Sequence, residues 1–391
     1  MNSTHSTSTG IRKPSNRTNS LPRVVIDLEK LRHINCGLGR FSLYLARELL
    51  ARPDNFFEPI FFLPDNSEHY FENRTTAHYS SIRVRPWHKE YFQRWIRPIA
   101  RYFHTTDRPA LWHITHQTSK YLPLDNRVPV ILTVHDLNFL HTIDSSRHPE
   151  RVRRHINHVQ KLVHRANTIV TDSQFVADDL ARHIDIKSKP IHVIPLGLTQ
   201  STIDSAGRPH WIPEGPFLFS IGNFLQHKNF HSLIAMMKHL PHYRLIIAGK
   251  KETPYGKNVA QERDLAGLTD HIILPGVITD SERQWLFKNC DVFVFPSLAE
   301  GFGFPVLEAM QFGKPVVMSN RTSLPEIAGD SGFFFPSYKA IEMAEAVKDA
   351  IKAFQNNASI AVKNRQHAES FSWQATAQQY ADIYRSVLKR I

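Results

Sequence analysis

The stretch DVFVFPSLAEGFGFPVLEAMQFG, from Asp291 to Gly313, carries the strongest signal of the fold. It opens with a short apolar run, typical of a buried strand, which stops at Pro296. A loop with two glycines follows, and Pro305 predicts the start of a helix, because the fixed φ of proline suits a first helical position. A strand, a glycine loop and a helix N-terminus in this order offer unpaired backbone N–H groups and a positive dipole end to an anion. The stretch therefore predicts a phosphate site.

Two carboxylates flank this predicted phosphate site. Glu300 stands on the loop, and Glu308 lies about one turn inside the helix. A carboxylate repels a phosphate, so we expect both to bind hydroxyl groups, such as those of sugars. Phosphate and hydroxyl ligands together indicate a nucleotide-sugar site.

The remainder of the chain alternates apolar strand patterns with helical patterns, which is typical of doubly wound parallel sheets and predicts the α/β class. A polar segment rich in Pro and Gly near residue 205 separates two such series. Strands are expected at residues 24–28, 59–63, 111–114, 130–134, 168–171 and 191–198, then at 217–221, 244–248, 272–274, 292–295 and 315–318. The predicted units are a disordered arm (1–21), two Rossmann-like domains (22–205 and 206–372) and a C-terminal helix (373–391).

Composition narrows the classes of protein that the chain can belong to. No apolar run approaches the roughly 18 residues that span a bilayer, no signal peptide is visible, and neither Cys36 nor Cys290 lies in a metal or redox motif. A cytoplasmic protein is therefore expected. Of the net charge of +12, residues 1–200 contribute +10, from 28 Lys and Arg against 18 Asp and Glu. A basic half can contact nucleic acid, an anionic membrane or an anionic acceptor, or can be an ordinary solvated face. Since nucleic-acid recognition modules are missing, we expect no nucleic-acid partner.

The segment from Trp87 to His104, WHKEYFQRWIRPIARYFH, offers one candidate membrane contact. Its aromatic residues follow helical spacing and its basic residues fall between them, which suits the surface of an anionic bilayer. Packing of this helix on its own domain explains the pattern equally well. If the segment binds an anionic bilayer, we expect the protein to lie peripherally on the inner face of the cell membrane.

The motif EGFGFPVLEAM, followed by SLPE, resembles the E-x7-E signature of the family 4 retaining glycosyltransferases, with Glu300 and Glu308 as its two glutamates. The resemblance covers residues 22–390. It implies the GT-B fold, in which two Rossmann-like domains face each other and the C-terminal helix crosses back to the first domain. It also implies that the first domain binds the acceptor and the second the nucleotide-sugar donor, in the cleft between them.

The resemblance assigns roles to residues of the second domain. Glu308 would accept hydrogen bonds from the ribose hydroxyls and Glu300 from the donor sugar, which makes Glu300 a candidate catalytic residue. The other donor-binding candidates are the loop N–H groups of Phe302, Gly303 and Phe304, then Gly222, Asn223 and Lys228 of SIGNFLQHKN, and Val277 of PGVIT against the base. Asn223 stands where the family usually has arginine, which leaves His227 and Lys228 to meet the diphosphate.

In the first domain the resemblance singles out a histidine and a glycine loop. His135, at the end of the strand in VPVILTVHDLNF, would donate a hydrogen bond to the donor sugar or to its phosphate. Gly37 and Gly39 of CGLGRF would let the backbone approach the diphosphate or acceptor, before a helix expected from Phe41 to Leu50. Arg40 would be either a phosphate ligand or a surface residue.

The expected activity is that of a retaining hexosyltransferase with a nucleoside diphosphate sugar as donor and a glycan or lipid-linked acceptor. The likeness of SNRTSLPEIAGD to bacterial O-antigen mannosyltransferases favours GDP-mannose and a role in lipopolysaccharide synthesis. The chain has no Asp-x-Asp triplet, so we expect neither a metal nor a cofactor. Three alternatives stay open: a nucleotide-sugar epimerase, a phosphorylase on the same fold, and a catalytically silent nucleotide-sugar-binding subunit.

Overall fold

A computed structural model describes residues 21–34, 36–54, 56–72, 79–85, 88–89, 108–141, 148–200, 207–212 and 214–390. Of the predicted arm only Leu21 falls within these ranges, and of the predicted membrane segment only His88 and Lys89. The predicted boundary near residue 205 also lies outside the described residues.

The first domain is built on a sheet of seven parallel strands in the order β3-β2-β1-β4-β5-β6-β7. Its strands are β1 (Arg23–Asp27), β2 (Glu58–Leu63), β3 (Ser80–Arg83), β4 (Leu111–Ile114), β5 (Val130–Val134), β6 (Thr168–Thr171) and β7 (Ile191–Val193). Its α-helices are α1 (Gly37–Ala51), α2 (Asn138–His141), α3 (Pro149–Arg165) and α4 (Gln174–His183), and 3-10 turns lie at Glu29–His33 and Glu68–Tyr70. The sequence did not predict β3, because this edge strand is short and exposed along its whole length.

The second domain has a sheet of six parallel strands in the order β10-β9-β8-β11-β12-β13. Its strands are β8 (Phe217–Ile221), β9 (Arg244–Ala248), β10 (Ile272–Gly276), β11 (Val292–Phe295), β12 (Val316–Ser319) and β13 (Phe333–Phe335). Its helices are α5 (His231–Met237), α6 (Pro254–Leu265), α7 (Asp280–Asn289), α8 (Phe304–Gln311), α9 (Leu324–Ala328), α10 (Ala340–Asn356) and α11 (Ser359–Glu369), and 3-10 turns lie at Gln226–Lys228 and Gly329–Ser331. A last helix, α12 (Trp373–Leu388), follows.

Burial explains why the central strands are apolar without alternation. Every residue of β5, β6, β11 and β12 is buried, since helices cover both faces of a parallel sheet. In each sheet the strand order reverses once, between β1 and β4 and between β8 and β11. Ligands of such sheets bind beyond the carboxyl ends of the strands at these reversal points. A ligand site is therefore expected at the loops after β8 and β11.

The C-terminal helix α12 returns to the first domain, as predicted. Its Tyr384 hydroxyl lies 2.7 Å from His113 Nδ1 of β4, and its Tyr380 hydroxyl lies 3.0 Å from Thr133 Oγ1 of β5. At its N-terminus, which the Ser372 side chain caps, the Trp373 ring stacks on Tyr44 of α1. This helix therefore ties the end of the chain to the core of the first domain. Among the described residues, no helix is both long enough and apolar enough to cross a bilayer.

Candidate active site

The loop after β11 turns directly into α8, which begins at Phe304, one residue before the predicted start. Gly303 caps this helix with a φ of 105°, a conformation that favours glycine. A Cβ atom at this position would also lie 2.6 Å from Leu324 Cδ2. The backbone conformation therefore favours glycine here, and it fixes where the helix N-terminus points.

Side chains from the segment after β12 hold the backbone of this loop. The Glu300 N–H donates to Thr322 Oγ1 at 3.0 Å, and the Ser323 hydroxyl donates to Glu300 O at 2.9 Å. Ser323 Oγ also lies 3.2 Å from Phe302 O. Both backbone polar groups of Glu300 thus have hydrogen-bond partners, so the backbone that carries its carboxylate is held in place.

Lys228 and Glu300 form an ion pair across the reversal point of the second sheet. The Lys228 Nζ lies 2.5 Å from Glu300 Oε1, and the two side chains are 14% and 12% exposed. Gly222 makes room for the lysine stem, since a Cβ atom there would lie 3.3 Å from Lys228 Cε. The structure therefore brings together the residues that the sequence assigned to the diphosphate and to the donor sugar.

The remaining second-domain candidates line the same edge of the sheet. Asn223 is exposed after β8, and Val277, directly after β10, is 68% exposed, so both are accessible to a ligand. Burial lowers the pKa of His227 to about 4, with a further contribution from the Lys228 charge. His227 is therefore neutral near pH 7, and Lys228 is the charged member of this pair.

Glu308 is held by arginines from both domains. Its Oε2 atom pairs with Arg283 of α7, and its Oε1 atom lies 3.3 Å from Arg40 Nη1 of α1. Arg40 also lies 3.4 Å from Asp280. A hydroxyl ligand would compete with these arginines for the carboxylate oxygens. No motif in the sequence pointed to Arg283, and Arg40 stayed open between a phosphate ligand and a surface residue.

His135 follows β5 as predicted, but its ring is turned into the first domain. Nδ1 lies 2.6 Å from Asp172 Oδ2, and Nε2 lies 2.8 Å from the Thr115 carbonyl oxygen. Both partners can accept a hydrogen bond, so this geometry suits a ring that carries a proton on each nitrogen. Burial opposes that charge, but the Asp172 carboxylate, with the Thr115 carbonyl and the Asp136 charge, raises the pKa of His135 in sum.

This arrangement changes what His135 can offer to a donor. Neither ring nitrogen is free for a sugar or a phosphate unless one of these two hydrogen bonds breaks. The His135 backbone, by contrast, contacts the Glu300 loop, because the His135 carbonyl packs against Gly301 of the second domain. The side-chain role of His135 stays a prediction.

The prediction of a glycine loop at Gly37 and Gly39 in the first domain is wrong. Gly37 and Gly39 form the first turn of α1, which begins four residues before the predicted start at Phe41. A Cβ atom on Gly39 would lie 2.3 Å from His33 O, so this glycine permits close packing of the helix on the preceding turn. A Cβ atom on Gly37 would lie 3.9 Å from Phe304 Cδ2 of the second domain, an ordinary contact distance. Their proposed contact with a diphosphate or acceptor stays a prediction.

The comparisons with known proteins match both domains. Residues 36–200 match the family model described as Glycosyltransferase Family 4, and residues 207–367 match the one described as Glycosyl transferases group 1. Over 389 residues the chain is 23% identical to O-antigen chain mannosyltransferase B of Escherichia coli, with 93% of this chain and 99% of that protein covered.

Two solved structures share the architecture. Sucrose-phosphate synthase from Thermosynechococcus elongatus superposes with a TM-score of 0.71 at 17% identity, over 95% of this chain and all (100%) of that one. HepE of Anabaena, in complex with UDP and glucose, gives 0.68 at 19% identity, over 93% and 100%. At these identities the likeness shows the fold alone. With both domains matched, the chain belongs to the family 4 glycosyltransferases and has their GT-B fold.

Proposed function

We propose that this glycosyltransferase moves a hexose, with retention of anomeric configuration, from a nucleoside diphosphate sugar to a glycan or lipid-linked acceptor. The observation that carries the proposal is the Lys228–Glu300 pair at the reversal point of the second sheet, beside the N-terminus of α8. Lys228 would offer a cation to the diphosphate, and Glu300, one hydrogen bond away, would offer a carboxylate to sugar hydroxyls.

The charges suggest how the site responds to a donor. An arriving diphosphate draws Lys228 toward itself, which releases Glu300 to accept hydrogen bonds from the sugar. As the bond to the leaving phosphate breaks, negative charge grows on that phosphate, and Lys228 and the α8 N-terminus stabilise it most at this stage. Retention then follows from departure and attack on the same face of the sugar, with the leaving phosphate assisting the incoming hydroxyl.

Mannose is the hexose with the best support. The full-length likeness to O-antigen chain mannosyltransferase B favours mannose, GDP-mannose as donor and a role in surface polysaccharide synthesis. The base stays open to test, since the solved relative of Anabaena was crystallised with UDP and glucose. Peripheral contact with the inner face of the cell membrane also stays a proposal, because all of its candidate segment except His88 and Lys89 lies outside the described residues.

A panel of GDP- and UDP-sugars tests the proposal directly. We expect slow hydrolysis of GDP-mannose in the absence of acceptor, and transfer with an α-linked product when a glycan acceptor is present, read by NMR of the product anomer. An inverted product would contradict retention. Conversion of the donor without a second sugar would favour an epimerase, and release of a sugar phosphate would favour a phosphorylase.

Two isosteric variants separate the roles of the carboxylates. Glu308→Gln should weaken nucleoside diphosphate binding in a calorimetric titration, whereas Glu300→Gln should mainly lower turnover. Each lost charged hydrogen bond costs on the order of 1.5–3 kcal/mol. Glu345→Gln, on the exposed surface of α10, is the matched control and should change neither quantity. Unchanged nucleotide affinity in Glu308→Gln would remove Glu308 from the donor site.

A further inference from the structure

The N-terminus of α4 joins the two domains through consecutive residues. Ser173 Oγ donates to Gly301 O at 3.0 Å, next to Glu300. The next two backbone N–H groups, of Gln174 and Phe175, donate to Glu326 Oε1 at 2.7 Å and to Oε2 at 3.1 Å. The helix belongs to the first domain, and both of its acceptors belong to the second.

Glu326 accepts hydrogen bonds from the N-terminal N–H groups of α4. The first N–H groups of an α-helix have no partner within the helix, and its positive dipole end favours a carboxylate. Ser173 accepts a hydrogen bond from Val176 N at 3.3 Å, which leaves the N–H groups of Gln174 and Phe175 for Glu326. This capping exists only while the domains are together. Separation would leave two helix N–H groups and the Gly301 carbonyl without these partners.

The same region is connected to the site from both sides. On the second domain, Glu326 stands three residues after Ser323, which holds the backbone of Glu300. On the first domain, Asp172 stands directly before Ser173 and binds His135. The capped N-terminus of α4 therefore lies between the segment that holds the Glu300 loop and Asp172, which binds His135.

We propose that Glu326 is a positioning residue, which holds the domains closed by capping α4 and so sets the loop of Glu300 against His135 for transfer. Glu326 contacts α4 and acts on the reaction through the loop alone. This inference rests on the proposed transferase function.

The test uses Glu326→Ala and Glu326→Gln in the full-length protein, with Glu345→Ala as control. Glu326→Ala should lower kcat/KM for transfer by roughly tenfold, equivalent to about 1.4 kcal/mol. Affinity for the nucleoside diphosphate alone should change less than about twofold, because Lys228 and Glu308, the charged residues proposed to bind it, both belong to the second domain. Glu326→Gln keeps one acceptor oxygen and should lie between Glu326→Ala and wild type.

Hydrogen exchange supplies a readout that does not depend on activity. In Glu326→Ala the amides of Gln174 and Phe175 should exchange at least about tenfold faster than in wild type. Small-angle scattering should show a larger radius of gyration, because the domains separate more often. Unchanged exchange of these two amides would overturn the capping, and faster exchange with unimpaired transfer would overturn the positioning role. If Glu326→Ala does not fold, Glu326→Gln answers both questions. If the wild-type protein transfers no sugar, the proposed function fails, while exchange and scattering still decide whether Glu326 holds the domains together.

Discussion

The backbone of Gly301 packs so closely on His135 that a Cβ atom at position 301 would lie 1.9 Å from the His135 carbonyl oxygen. Gly301→Ala should therefore push the two domains apart while each keeps its fold. We expect transfer to fall by an order of magnitude or more, since misplacement by about 1 Å can cost a hundredfold in rate. Steady-state kinetics with circular dichroism and scattering would check this.

Gly207→Ala is the control for that variant, because nothing lies within 4 Å of a Cβ atom there. It should retain full transfer. Wild-type kinetics in Gly301→Ala would mean that this close approach of the domains is not needed for the reaction.

The second prediction concerns the cation of the donor site. Lys228→Ala removes the partner of Glu300, and it should lose both nucleoside diphosphate affinity and turnover, by roughly tenfold to a hundredfold each. Calorimetry and initial rates measure the two effects separately. Lys257→Ala, an exposed lysine of α6, controls for the change in net charge. Retained affinity in Lys228→Ala would place the diphosphate elsewhere.

The third prediction concerns pH and stability. Burial raises the pKa of Asp27 from 3.8 to about 7, although hydrogen bonds from Ser119 and from the Glu29 N–H lower it in part, and the nearby Glu29 and Lys30 charges act in opposite directions. A raised carboxyl pKa stabilises the fold below the unfolded value of 3.8, and that stability is lost as pH rises through about 7.

Asp27→Asn should therefore flatten the pH profile of the unfolding free energy between about pH 4 and 7, by up to about 4 kcal/mol. Urea unfolding at several pH values measures it. Asp270→Asn, an exposed carboxylate, should keep the wild-type slope. Parallel profiles for wild type and Asp27→Asn would show that burial does not shift this carboxyl.

The fourth prediction is that transfer survives excess chelator. The sequence contains no Asp-x-Asp triplet, and the part of the chain that the structure describes has no group of three or more His, Cys, Asp or Glu able to hold a metal ion. Initial rates with EDTA should match those without it. Loss of activity that Mn²⁺ or Mg²⁺ restores would contradict metal-independent transfer.

The fifth prediction tests the membrane segment. Changing Arg94, Arg97 and Arg101 together to Glu should release the protein from anionic vesicles, since each basic residue near such a surface contributes about 1 kcal/mol and salt screens it. Co-sedimentation measures binding, and nucleotide titration confirms that the second domain is intact. Sedimentation equal to that of the parent would exclude this segment as the membrane contact.

The sequence alone determined the α/β class, the strands of both series other than β3 and β13, and the donor-site loop, because these depend on local patterns. Buried parallel strands are continuous apolar runs, and Pro305 with the loop glycines marks a helix start within a residue of the observed one. Gly37 and Gly39 show the limit of such reasoning. A glycine pair resembles a loop in sequence, but close packing on His33 placed it inside a helix.

Only the tertiary structure decided which charges meet. The partners of Glu308 lie 25 and 268 residues away from it, and the Glu326 carboxylate reaches amides about 150 residues earlier in the chain. No local pattern encodes such pairings, because they depend on how two separate sheets face each other. For the same reason the sequence placed His135 at a strand end but could not show that Asp172 and Thr115 engage both nitrogens of its ring.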